Sequence, residues 1–565
     1  MNTPILDPGS LIARLTQPGA PFELCEVALA DGPARAYRHA PPSLIALIEA
    51  GRVHGAKEFM AHAGERWSYE RFFAAVDALA GRLQAEVHLE PGDRVAIAMR
   101  NRPEWAVAFA ATVLVGAVPA PLNSFGLRDE LRGAIAEVSP RVLVCDDERL
   151  DRLAPDLATL GCHVVNVGRV PDPASGVLAW APLVAPGGPA RQPVTRQPED
   201  AAVLVFTSGS TSRPKAVLSS HRAVAQALMN IDFIGALSGM SSPQAVAAIM
   251  AKGLAPATLT VVPLFHVSGL YAQLLTTLRG GRRLVFMHRW DPAQALQIVR
   301  DEKITQFSAA PAMVQQLMQV AGFDPAASAA SLGGVGFGGS GLPQGLIDQV
   351  LARFPHSMSG IGFGMTESNG VGAAISGQLF EGRPRSSGLR SPVIELRIVD
   401  ADGQPLPAGE AGEICLRGVT VMQGYWGQPE ATAQALHGGW LHTGDIGYVD
   451  AAGFLFVVDR LKDVINRSGE KIAAAEVESC LSRHPGVDEV AVFAVPDAQT
   501  GEAVVAVVVL RPGRSASQAD LRAHVAAHLA GYKVPSRIEL RAEPLPRNAT
   551  GKLVKAELRR LYAQP

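Results

Sequence analysis

Apolar positions along the chain fall into two spacings. Short β-rich runs at Arg94 to Ala98, Val142 to Val144, Ala202 to Phe206 and Leu259 to Val262 alternate with Ala/Leu-rich stretches of helical period. This alternation predicts an α/β fold whose largely parallel sheets are layered with helices. Trp105 to Leu122 runs for eighteen uncharged residues, the lower limit for a membrane-spanning helix. Gly116, Pro119 and Pro121 interrupt it, so it predicts a buried helix after Glu104 and an extended segment ending near Leu122.

The Pro/Gly cluster from Pro186 to Pro198 reads as a surface connection before the Ala202 to Phe206 strand. After Pro384 the pattern becomes short strands at Val393 to Val399, Glu413 to Leu416 and Phe454 to Val458, separated by turns such as Asp402-Gly403. Beyond Asp459 a helix with Val477, Cys480 and Leu481 on one face, strands at Val490 to Val495 and Val504 to Leu510, and a helix with Leu521, Val525 and Leu529 predict a compact α+β domain. The expected organisation is a large N-terminal domain of layered α/β subdomains plus a small β unit over 1–459, and an α+β C-terminal domain over 460–565.

Composition narrows the function classes. The 565 residues carry 51 basic and 53 acidic side chains, a formal charge of −2, without a basic block suited to a phosphate backbone or an anionic lipid surface. Nucleic acid is therefore not an expected partner, and no integral membrane segment is expected. The 5 cysteines are scattered and lack C-x-x-C spacing, which supports neither a disulfide framework nor a zinc site. The start of the chain has no basic region followed by an apolar core, so the expected location is cytoplasmic.

The Ala202 to Phe206 strand runs into Thr207-Ser208-Gly209-Ser210-Thr211-Ser212-Arg213-Pro214-Lys215. Hydroxyls and backbone N–H groups at a strand end, with a lysine to add charge, suit a polyphosphate. The loop is no Walker A motif, because Pro214 precedes the lysine and an extended Ala216-Val217-Leu218 follows it. Taken alone it would also read as a flexible Ser/Thr linker.

Four further motifs follow in order: Phe363-Gly364-Met365-Thr366-Glu367, His442-Thr443-Gly444-Asp445, Asp459-Arg460-Leu461-Lys462-Asp463 and Gly551-Lys552. With the Thr207 to Lys215 loop, this order resembles the adenylate-forming superfamily of acyl-CoA synthetases, adenylation domains and luciferases, from about Trp67 to the C-terminus. The resemblance implies an ATP-dependent carboxylic acid:CoA ligase that forms acyl-AMP and pyrophosphate, then acyl-CoA and AMP. The implied ligands are ATP, Mg2+ and coenzyme A. Thr207, Ser208, Gly209, Ser210, Thr211 and Lys215 would grip the triphosphate. Glu367 would hold magnesium, Thr366 would meet the α-phosphate, and Phe363 with Gly364 and Met365 would line the adenine opposite Gly338, Gly339 and Ser340. Asp445 and Arg460 would bind ribose. Lys552 would be the central catalytic cation, Lys462 the hinge of a mobile C-terminal domain, and Gly469 and Lys471 part of the loop brought to pantetheine. Ser212 and Ala216 depart from the usual loop glycines, and Lys555 from a common arginine.

Amino-acid-activating relatives carry F-D-x-S where this chain has Phe265-His266-Val267-Ser268, so an α-ammonium would lack its charged partner and a fatty or other non-amino acid is expected. His266 is thereby a candidate catalytic or pocket residue. Gly269 and the glycines of Gly333 to Phe337 suggest room in the acyl pocket. Only 13 residues follow Lys552, so free CoA is the expected acceptor, with a separate carrier protein as the alternative. A nucleotide-binding protein with this fold and no chemistry is the competing class.

Overall fold

The computed structural model describes residues 7–207, 214–338, 344–468, 470–497, 499–548 and 551–562. A five-stranded sheet is wholly parallel, in the order Val118–Pro121, Arg94–Ala98, Val142–Asp146, His163–Val167 and Leu178–Ala179. Helix Pro103–Leu114 starts with a proline at its first turn, and every residue except Glu104 is buried. The chain then turns at Gly116, with φ +76°, and enters Val118–Pro121 at the sheet edge, where its two prolines displace no ladder bond of a central strand. The uncharged stretch is thus the core element its interruptions predict.

A second, 14-stranded sheet has a parallel centre of Arg283–Phe286, Ala257–Thr260, Gln306–Ala309, Val335–Phe337 and Gly360–Met365. It continues antiparallel through Gly370–Ser376, Gly388–Arg390, Phe454–Arg460, Trp440–Val449, Gly412–Gly418 and Ile394–Val399. The short strands after Pro384 therefore extend this sheet through the pairing of Gly388–Arg390 with Phe454–Arg460. One strand differs from its expected position, because it ends at Thr260 and leaves Val261 and Val262 outside. There the Asn101 amide replaces a strand neighbour, donating to the Val262 carbonyl at 2.9 Å and accepting the Leu264 N–H at 2.9 Å.

Helix His221–Ser241 is long and apolar enough to cross a membrane, with mean hydropathy 1.2, yet 61% of its apolar window is buried within the fold. It carries the N-terminal segment, since the Tyr37 N–H donates to Gln226 at 2.7 Å and its hydroxyl to Asn230 at 2.8 Å. The C-terminal sheet joins Glu470–Ala473, Val464–Arg467, Gly501–Leu510 and Val487–Asp497 antiparallel, with Arg537–Arg541 parallel to Gly501–Leu510. Helices Ala474–Ser482 and Gln518–His528 bury Val477, Cys480, Leu481, Leu521 and Val525. Leu529 caps the second helix.

Candidate functional site

The Thr207–Lys215 loop leaves a β-hairpin, Ala201–Phe206 paired antiparallel with Ala216–Ser220. Its mouth is pinned by two bonds: Thr207 N–H to the Lys215 carbonyl at 2.9 Å, and Lys215 N–H to the Thr207 hydroxyl at 3.1 Å. Ser208, Gly209, Ser210, Thr211 and Ser212 lie outside the described residues. Ala216 is fully buried in the returning strand, its N–H held by Glu137 at 2.9 Å, and its φ is not positive. A glycine's freedom is not needed there.

Strand Gly424–Tyr425 pairs with Ala216–Ser220, and this brings in a residue that the sequence motifs do not single out. The Lys215 ammonium lies 4.6 Å from the centre of the Tyr425 ring, within cation–π range. The Tyr425 hydroxyl donates to Glu367 Oε1 at 2.9 Å. Tyr425 thus joins the lysine of the loop to the carboxylate of the Phe363 to Glu367 motif. Burial raises the Glu367 pKa, opposed by the Tyr425 hydroxyl and the charges of Arg460 and Lys215.

Thr366 and Glu367 occupy the turn Thr366–Ser368, which leaves the end of strand Gly360–Met365. The turn is fixed by its own side chains. Met365 N–H donates to the Ser368 hydroxyl at 3.1 Å, and Asn369, left-handed at φ +55°, donates to the Thr420 carbonyl at 2.9 Å while accepting the Tyr271 hydroxyl at 2.9 Å. Tyr271 sits in the π-helical turn Leu270–Leu275, a local form often found beside functional sites. Gly338 follows strand Val335–Phe337, the parallel neighbour of Gly360–Met365, and a Cβ there would meet open space. These positions share the carboxyl ends of adjacent parallel strands, where open α/β sheets bind ligands. Gly339 and Ser340 lie outside the described residues. Phe363 is 9% exposed within an apolar cluster that includes Ala373 and Leu416. Gly364 is exposed beside it.

Asp445 and Arg460 are cross-strand partners, with Arg460 Nε 3.1 Å from Asp445 Oδ1. The turn before Asp445 is scaffolded from the neighbouring strand: Glu413 accepts the Gly444 N–H at 3.0 Å and holds His442 Nδ1 at 2.8 Å. Thr443 donates to the Ile414 carbonyl at 2.7 Å and accepts the Asp445 N–H at 3.1 Å. Burial raises the Asp445 pKa, and Arg460, Lys552 and Lys462 counteract it.

Lys552 enters the same field from the C-terminal part of the chain. Asn548 shapes its turn, accepting the Lys552 N–H at 3.0 Å on its side chain and donating its own N–H to the Lys552 carbonyl at 2.8 Å. The turn rests on the N-terminal part, since a Cβ on Gly551 would lie 3.1 Å from that of Ala310. Burial, then Arg460, brings the Lys552 pKa down to about 8, with Asp445 opposing. His266 belongs to this group as well: burial, then Lys552, lowers its pKa to about 4, so the ring is neutral at physiological pH. Lys462 lies in the turn Leu461–Asp463 just after Arg460, its pKa lowered by burial and by Arg460.

Lys471 is not brought to this group. It is exposed on strand Glu470–Ala473, opposite Asn466 in a tight hairpin whose turn residue Ser468 has φ +54°. Gly469 lies outside the described residues. The glycines expected to make room for an acyl group have another cause. A Cβ on Gly269 would lie 2.3 Å from the Pro263 carbonyl oxygen, on Gly334 2.6 Å from the Ser359 nitrogen, and on Gly336 2.3 Å from the Ser308 hydroxyl. Close approach of backbone demands glycine at Gly269 and Gly334, so those two give no measure of pocket size.

The family model described as AMP-binding enzyme matches residues 47–426, and that of the AMP-binding enzyme C-terminal domain matches residues 476–552. A feruloyl-CoA synthase of Amycolatopsis sp is 34% identical over 503 residues, 89% of this chain and 95% of the relative. A fatty acid–[acyl-carrier-protein] ligase, ScoC of Streptomyces coeruleorubidus, is 30% identical over 92% of this chain and 96% of its own. Among solved structures, ATP-bound MatB from Rhodopseudomonas palustris superposes with a TM-score of 0.80 at 27% identity, covering 92% of this chain and 99% of that one. The apo form of MatB gives a TM-score of 0.70. The chain belongs to the AMP-binding enzyme family and is an acyl-adenylate-forming acid–thiol ligase.

Proposed function

We propose that this ligase activates a non-amino carboxylic acid, aryl or fatty, and passes the acyl group to coenzyme A, with Lys552 as the cation of the first half-reaction. The observation that carries the assignment is the convergence of Lys552, from the C-terminal part of the chain, with Asp445, Arg460 and His266. In the first step a carboxylate oxygen attacks the α-phosphorus of ATP, the bond to the bridging oxygen breaks, and pyrophosphate leaves. Negative charge grows on the pentacoordinate phosphorus oxygens and on the departing group. A fixed ammonium at that point stabilises the transition state more than the ground state. Asp445 and Arg460 orient the ribose, and Lys215, held against Tyr425, supplies charge to the phosphates.

Glu367 fits the role of magnesium ligand. It is a buried hard-oxygen donor with one oxygen committed to Tyr425, and magnesium commonly binds through one or two carboxylates together with substrate phosphates. When bound, the ion would offset charge on the triphosphate. The neutral His266 ring beside cationic Lys552 offers an α-ammonium no anionic partner, which favours acids without an amino group. Relatives that act on ferulate or on fatty acids keep both aryl and alkyl acids in view, and the carrier-loading relative makes a separate carrier protein the alternative acceptor. A cytoplasmic location accords with free ATP and CoA as substrates.

Hydroxylamine trapping across a panel of aryl and fatty acids reads both activity and acid class. Lys552→Ala should reduce ATP–pyrophosphate exchange by about 100-fold or more, in line with loss of one preorganised charge contact. Near-normal exchange in that variant refutes the assignment, and a CoA titration of acyl-AMP turnover decides the acceptor.

A further inference from the structure

A second cluster of reactive side chains lies in the C-terminal part of the chain and has no place in the adenylation chemistry. Helices Ala474–Ser482 and Gln518–His528 pack against each other, and Cys480 on the first faces His524 and His528 on the second. His524 and His528 are four residues apart, so they share one helix face. One ring nitrogen from each and the Cys480 sulfur lie within 4.8 Å of one another. The rings themselves are neighbours, with centroids 4.6 Å apart.

A hydrogen bond from each ring to a backbone carbonyl fixes its tautomer. His524 Nε2 is 3.1 Å from the Cys480 carbonyl, and His528 Nδ1 is 2.7 Å from the His524 carbonyl. A carbonyl oxygen only accepts, so each of these nitrogens carries the proton. The lone pairs are left on His524 Nδ1 and His528 Nε2. Metal-binding histidines are typically held this way, with the second ring nitrogen donating to a backbone carbonyl or carboxylate. His528 lies at the last turn of its helix, where the helix dipole favours positive charge. The three residues grade from buried Cys480 through His524 to exposed His528, which leaves an entry path from solvent.

We propose that Cys480, His524 and His528 form a transition-metal site, selective for a borderline dication of the Zn2+ class, that clips the two helices of the C-terminal domain together. One thiolate and two imidazoles are a zinc-type donor set, with water in the fourth position. A tetrahedral ion would draw the donor atoms to roughly 3.3–3.6 Å of one another, a small closure reached by side-chain rotation. Binding converts the Cys480 thiol to thiolate and releases one proton to solvent. His484 lies beside His524, with ring centroids 5.2 Å apart, but its Nδ1 accepts the Gly486 N–H, so its other nitrogen carries the proton. It neighbours the site without joining it. The cluster shares no residue with the proposed ATP site.

The test uses the full-length protein, stripped with chelator and titrated with Co2+ under anaerobic conditions, followed by Zn2+. The expected result is one Co2+ per chain, with tetrahedral visible bands and a thiolate charge-transfer band, both displaced by one equivalent of Zn2+. Cys480→Ser should remove the charge-transfer band. His528→Gln, at an exposed position where misfolding is not expected, should weaken Co2+ binding by at least about tenfold. Saturating Zn2+ should raise the melting temperature of the wild type more than that of His528→Gln. Absence of the bands, or binding unchanged in His528→Gln, overturns the proposal. So does loss of the bands in Cys415→Ser, because Glu413, Cys415 and His442 are the second such cluster among the described residues.

Discussion

Removing a single oxygen at Tyr425 separates two contributions to the proposed nucleotide site. In Tyr425→Phe the ring stays beneath Lys215, at its 4.6 Å separation, while the bond to Glu367 at 2.9 Å is lost. A hydrogen bond to a charged group contributes about 1.5–3 kcal/mol. If that difference is expressed in the transition state, kcat/KM for ATP falls by about 10- to 150-fold. A pH effect accompanies it. The hydroxyl lowers a Glu367 pKa that burial has raised, so its loss raises that pKa further. The ionised carboxylate is the form that binds a cation, so activity is lost as pH falls through this pKa, and the acid limb of the Tyr425→Phe profile should move to higher pH. ATP–pyrophosphate exchange measured across pH, with circular dichroism to confirm folding, reads both effects. An unshifted acid limb with kcat/KM within about twofold of wild type would refute the linkage between Tyr425 and Glu367.

Other outcomes follow from the same geometry. Adenylation should decline as pH rises through about 8 in the free enzyme, because Lys552 loses the charge it contributes; a kcat/KM profile flat to pH 10 contradicts this. Gly269→Ala places a Cβ 2.3 Å from a backbone oxygen and should destabilise the fold by about 1–3 kcal/mol, visible as a lower denaturation midpoint with unchanged slope. Lys462→Pro should impair thioester formation far more than adenylation, since it restricts φ in the turn Leu461–Asp463 at the expected hinge. Equal loss of both half-reactions would remove the hinge.

Much of the fold was legible because burial imposes strong patterns. The uncharged Trp105 to Leu122 stretch announced its helix, its turn and its edge strand through Gly116, Pro119 and Pro121. The early end of the Ala257–Thr260 strand was not legible, because it depends on Asn101, distant in sequence, satisfying the backbone beyond it. The site divides the same way. Asp445, Arg460 and Lys552 were nameable from local motifs, and the structure groups them. Tyr425 was not, since a tyrosine after a glycine carries no mark of its partners until Gly424–Tyr425 pairs beside Ala216–Ser220. Gly334 misled, because sequence cannot distinguish a glycine that makes room for a ligand from one that admits neighbouring backbone.

Asp459 spans the junction between the two parts of the chain. Its carboxylate accepts the Arg460 N–H at 2.7 Å and, at 3.2 Å, the N–H of Ala475 in the first turn of helix Ala474–Ser482, which has no capping side chain of its own. The helix is therefore capped by a residue from the other side of the Leu461–Asp463 turn. A rotation about that turn leaves the Ala475 N–H without this acceptor, at a cost of about 1 kcal/mol, typical of a lost cap. By that contact alone, the arrangement with Lys552 at the proposed nucleotide site would be favoured about fivefold at rest. Asp459 would then act as a weak latch that biases the enzyme toward readiness for ATP, and Asp459→Ala would shift the resting balance without touching substrate.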